Sequence, residues 1–140
     1  MATRKNTEIA NIWIGYIFAK LYESFPMPYD LLLEEITEST RELPNVDPGE
    51  FLFYLGRWLE DEGYIRAGQG ALGEEGIDEG VLTEKGLRVL NAMPDSLSPG
   101  TKLGDRLVEA SKDIGQEAVK NSVGEWIGQV IGGVIKSVSF

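Results

Sequence analysis

The chain has 140 residues, 42% of them hydrophobic and 26% charged, and a net charge of −10, room for one core-forming domain and an appendage. It contains no cysteine and no histidine, which removes disulfides and thiolate metal sites together with the usual general base, the commonest metal ligand and the ordinary neutral-pH switch. The acidic excess falls wholly in residues 1–95, with 8 Lys/Arg against 18 Asp/Glu, while residues 96–140 carry 5 of each; that balance disfavours polyanions as partners.

In chain order, Arg4 and Lys5 precede the apolar run Ile9–Phe18, but Lys20, Leu21, Tyr22 and Glu23 follow it where a secretory signal would need a small-residue cleavage site. Ile9, Ile12, Trp13, Tyr16 and Ile17 fall on one helical face. The pattern therefore predicts a core helix from about Thr7 to Ser24, stopped by Pro26 and Pro28, and a cytoplasmic protein. A second, short helix is predicted over Tyr29–Ile36, with Leu31, Leu32 and Ile36 inward, and a polar connector over Thr37–Val46. Glu34, Glu35 and Glu38 read as one solvated helix face.

Asp47-Pro48-Gly49-Glu50 is the clearest helix start in the chain. Phe51, Leu52, Leu55, Trp58 and Leu59 then make an apolar stripe, and Gly63 ends the helix. Tyr64–Ala67 is a predicted strand, Gly68–Gly80 a glycine-rich acidic loop, and Val81-Leu82 a second strand. Thr83 caps a further helix with Leu87, Val89 and Leu90 inward.

The run FLFYLGRWLEDEGYIR, the glycine-rich hairpin and the segment VLTEKGLRVL together resemble the winged helix-turn-helix superfamily over roughly two thirds of the chain. The resemblance implies a mostly helical α+β fold with a small β-hairpin wing. It also implies a domain that binds nucleic acid or protein, since such folds serve both. The expected organisation is a winged-helix domain over 1–95, a linker over 96–100 marked by Pro99 and Gly100, and a helical tail over 101–140, broken near Asn121–Ser122.

Charge argues against the DNA reading. The outward side of the third helix offers Arg57 among Glu50, Glu60, Asp61 and Glu62, with Phe53 and Gly56 at its margin. The wing carries Glu74, Glu75, Asp78 and Glu79 and no basic residue, whereas phosphate contacts supply most duplex affinity. If the chain is nonetheless a dimeric winged-helix transcription regulator, Arg41, Arg57 and Arg66 are its candidate DNA contacts. Gly68-Gln69-Gly70-Ala71-Leu72-Gly73 spells a dinucleotide fingerprint, but Glu74 and Glu75 follow where a helix N-terminus would have to begin. The wing carboxylates lack EF-hand spacing and read as solvated loop. No cofactor, metal or catalytic group is expected.

The tail supplies the least ordinary pattern. Gly124, Gly128 and Gly132 recur every four residues beside Trp126, Ile127, Val130, Ile131, Val134 and Ile135. On a helix the glycines would line one side and admit a close neighbour. Each costs about 1 kcal/mol relative to alanine, so a compensating contact is expected. Gly124, Trp126, Ile127, Gly128, Ile131, Gly132 and Ile135 are accordingly the candidate interface, for packing on the winged-helix domain itself, for a homo-oligomer or for a protein partner. Membrane contact is the weaker alternative: the segment is shorter than the ~20 residues of a span and is interrupted by Glu125, Gln129 and Lys136. The sequence thus predicts a non-enzymatic, acidic interaction module acting through its C-terminal helix.

Overall fold

The structure, a computed structural model, describes residues 6–70, 72–91 and 102–112. Among these residues the fold is mixed α+β and mostly helical, with five helices and a three-stranded antiparallel sheet. Helix α1 (Asn6–Ser24) is the axis of the core. Residues Ile12 to Ala19 are buried without interruption, because this helix is apolar on nearly every side and must be wrapped rather than laid on a surface. Trp13, Ile17 and Phe18 are wholly excluded from solvent.

The segment expected to be a second helix divides into strand and helix. Tyr29–Leu32 is strand β1 and Leu33–Thr40 is helix α2. Inside β1, burial alternates as half-buried Tyr29, exposed Asp30, buried Leu31 and exposed Leu32, the period of two that a short run of leucines conceals. Leu32 turns the chain into α2, where the Glu35 carboxylate accepts the Leu32 N–H at 3.0 Å. The helix extends through Thr40, into the stretch that sequence assigns to the connector, and Arg41 ends it in the left-handed region at φ 57°.

Helix α3 (Pro48–Asp61) follows its predicted cap: Asp47 Oδ2 accepts from Glu50 N at 2.9 Å and Pro48 fills the first position. Its end is a Schellman arrangement. Gly63, at φ 84°, donates to Glu60 O, and Tyr64 N donates to Leu59 O.

Strands β2 (Ile65–Arg66) and β3 (Gly76–Leu82) make the hairpin, but β3 is far longer than predicted. It lies at the centre of the sheet in the order β1-β3-β2, so part of the expected glycine-rich loop is strand. Its N-terminal half pairs with β1 (Leu31↔Ile77, Leu32↔Gly76) and its C-terminal half with β2 (Ile65↔Leu82). Gly76 is required by proximity, since a Cβ there would stand 2.1 Å from Leu31 O. The register breaks between Tyr29 and Leu31, where Glu79 takes φ 54° and its N–H donates to Asp30 Oδ1 at 2.8 Å.

Helix α4 (Glu84–Leu90) starts at Thr83, whose Oγ1 accepts from Gly86 N at 3.1 Å and donates to Gly63 O. Helix α5 (Leu103–Lys112) returns along α1, with Leu103 and Leu107 buried in the same core cluster. The first part of the segment read from sequence as a tail thus completes the hydrophobic core.

Candidate functional site

An open groove of about 510 Å³ runs between α1 and α3. The α1 wall is Asn6, Thr7, Ala10, Asn11 and Ile14. The opposite wall is Val46 with the α3 residues Glu50, Phe51, Tyr54, Leu55 and Trp58. On each helix these positions recur at spacings of three and four, so each wall is one continuous stripe. Phe51 is held by an edge-on contact with Trp13, ring centroids 5.2 Å apart, and Tyr54 by Phe53 at 5.1 Å. Trp13 in turn donates from Nε1 to Glu42 O at 3.0 Å, which fixes the floor beneath Phe51.

Two exposed large hydrophobic side chains belong to this groove: Val46 at 48% and Tyr54 at 58% of full exposure. Among the described residues Glu50 is its one charged lining residue, and no basic side chain lines it. Such a surface offers apolar contact and shape.

The three arginines proposed from sequence for DNA stand on three separate elements. Arg41 follows α2, Arg57 is on α3 and Arg66 is on β2, all exposed. Arg57 Nε lies 3.7 Å from Asp61 Oδ2, an exposed pair that contributes little to stability but offsets the cationic character of α3. Lys85 is committed elsewhere: its Nζ donates to Glu62 O at 2.8 Å and lies 4.5 Å from the centroid of the Tyr64 ring. On α3 itself Phe53 is half-buried, and Gly56 is buried rather than exposed, because Ile77 and Leu72 pack over it.

A second cluster has no counterpart in the sequence reading. Glu35, expected on a wet face, has Oε2 accepting from both Tyr16 OH and Tyr29 OH at 2.8 Å. Ser39 Oγ adds a 3.4 Å contact to Tyr16 OH. Burial, reinforced by Glu35, pushes the Tyr29 phenol up to about 12. Burial likewise raises the Tyr16 phenol far above its ordinary range. Both tyrosines are therefore proton-holding donors rather than bases at neutral pH. The cluster lines neither the α1–α3 groove nor the hollow beside the β2–β3 loop; it ties α1 to α2 and β1. The sequence offers only the weak signal that Glu35 is the third residue of α2, where capping glutamates turn back.

The candidate interface at Gly124, Trp126, Ile127, Gly128, Ile131, Gly132 and Ile135 lies outside the described residues. Among the described residues there is no group of three or more His, Cys, Asp or Glu able to hold a metal ion, and no helix is long and apolar enough to cross a membrane.

Fold and groove together define a class only: a small, mostly helical α+β domain with an open apolar groove between two helices. Comparison with protein-family models, with curated proteins and with solved structures yields no match.

Proposed function

We propose that the chain is a non-enzymatic interaction module of the cytoplasm, an acidic winged-helix scaffold that binds a protein partner or itself, within one molecule or between copies, through its C-terminal helix. The winged-helix assignment is supported by α2 and α3 joined by a short connector, a β2–β3 hairpin directly after α3, and α4 packed behind it. The observation that carries the functional reading is the surface of α3. The helix that would enter a major groove offers a single arginine, already facing Asp61, and otherwise Glu50, Glu60, Asp61, Glu62 and the wall of an apolar groove.

Apolar helical partners suit such a groove, since they bind by laying spaced hydrophobic anchors into it. A duplex does not, because its affinity comes first from cations set against phosphates. Titration of labelled duplexes with the full chain at about 50 mM salt, where non-specific binding is strongest, tests the point. No change in anisotropy is expected. Saturable binding that weakens steeply with salt would instead establish a DNA-binding regulator, with Arg41, Arg57 and Arg66 the first residues to replace.

A further inference from the structure

We propose that the α1–α3 groove is the seat of the chain's own C-terminal segment, residues 123–140, docked within the same molecule. The inference rests on the reading of that segment as an interaction helix and names the surface it binds.

A Cβ at Gly104 would lie 2.7 Å from the Tyr22 ring, and Tyr22 OH approaches Asp105 Oδ1 at 3.5 Å. The start of α5 therefore sits at the end of α1, two residues before Ser24. Leu107, one turn later, is buried in the same core cluster, and α5 packs extensively on α1, so it runs back along α1 toward its beginning. Ten helical residues rise about 15 Å, so Lys112 comes level with about Ile12.

Position around α1 agrees with position along it. Asn11 precedes Tyr22 by about three turns of ~3.6 residues, so the two side chains share one side of the helix. Tyr22 marks the side that α5 covers, and Asn11 is a groove wall. The chain thus leaves α5 beside the groove rather than across the molecule from it. The following segment, 113–122, spans up to roughly 33 Å when extended, ample for residue 123 to reach either end.

Dimensions and chemistry match as well. Each wall, Asn6–Ile14 and Glu50–Trp58, is about 12 Å long as helix, close to the ~15 Å of Trp126–Ile135. Among the described residues the groove lining is mostly apolar with one carboxylate, and the segment supplies tryptophan, isoleucine and valine with little charge. Its glycines at 124, 128 and 132 would let its backbone come close to α1 or α3. Tethering favours the intramolecular arrangement over a second copy, since a short connector sets an effective concentration near the millimolar range.

The absence of natural cysteine permits a direct test in the full chain. Val46→Cys lies on the groove and Val130→Cys on the segment; Glu34→Cys, exposed on α2, replaces Val46→Cys in the control pair. Under dilute oxidation the groove pair should form an intramolecular disulfide at least about tenfold faster than the control, the ratio that effective concentration sets. Tyr54→Glu, at an exposed position, and Ile131→Asp should each accelerate proteolysis within 113–140. Their combination should add little to either alone.

Covalent dimers as the main product would overturn intramolecular docking while leaving the segment an interaction helix. Equal oxidation rates for the two pairs would overturn the groove as its seat. If Ile131→Asp in addition changed neither oligomeric state nor proteolysis, the reading of the segment as an interaction helix would fall too.

Discussion

Tyr64 is wholly buried between Phe18 and Trp58, yet its hydroxyl has no hydrogen-bond partner among the described residues. A buried, unsatisfied hydroxyl costs about 1–3 kcal/mol, so Tyr64→Phe should leave urea-measured stability unchanged or raise it by up to ~1 kcal/mol. A loss of that size would show that the hydroxyl has a stabilising role. Tyr16 and Tyr29 give an alkaline counterpart. Their phenols are raised in the folded chain from an ordinary value near 10, Tyr29 to about 12. The native state therefore holds protons that the unfolded chain releases. Their contribution is complete below pH ~10 and is lost as pH rises through the folded values. Stability should fall from about pH 10 toward 12, and Tyr29→Phe should flatten that fall; an unchanged alkaline slope would contradict the Glu35 cluster. Residues whose role is local are legible in the sequence, such as Asp47 and Thr83 at their caps. Glu35 is not, because both tyrosines that engage it come from other elements.

Elements show the same division between local and remote causes. Helices α1, α3 and α4 follow from periodicity, caps and prolines within a few residues of their ends. Strand β1 does not, since Leu31-Leu32-Leu33 has no period of its own and is drawn into a strand by pairing with Ile77 and Gly76. The length of β3 is hidden for the same reason: glycine and carboxylates have poor strand propensity, and pairing with remote partners holds the strand in the sheet despite the break at Glu79. Two glycines in this stretch separate the causes. Gly76→Ala would drive a methyl into Leu31 O and should cost roughly 2 kcal/mol or more by overpacking, read by chemical denaturation. At Gly73 an added methyl would meet no atom within 4 Å, so Gly73→Ala should fall within about 0.5 kcal/mol of the parent. Equal effects would contradict the central position of β3.

For the whole molecule, the sequence division at residue 95 separates pieces that share a core. Leu103 and Leu107 are buried with the α1 residues, and Tyr22 packs against the same cluster; burying a leucine stabilises by about 1.5–3 kcal/mol. A fragment ending at 95 should therefore melt well below the full chain, whereas full-length Ile131→Asp should keep its melting temperature to within a few degrees. A fragment as stable as the full chain would show that α5 packs too weakly to matter. The groove itself is half legible in the sequence. Phe51, Leu55 and Trp58 read as an inward stripe, but their neighbour Tyr54 and the α1 wall become one surface only when α1 and α3 are set side by side.

Hydrogen exchange on the full chain, parent against Ile131→Asp, tests most directly whether segment 123–140 acts through this surface. Faster exchange confined to Asn6–Ile14 and Val46–Trp58, with α2, α4 and the sheet unchanged, is the predicted result. Identical protection of both walls in the two proteins would contradict it.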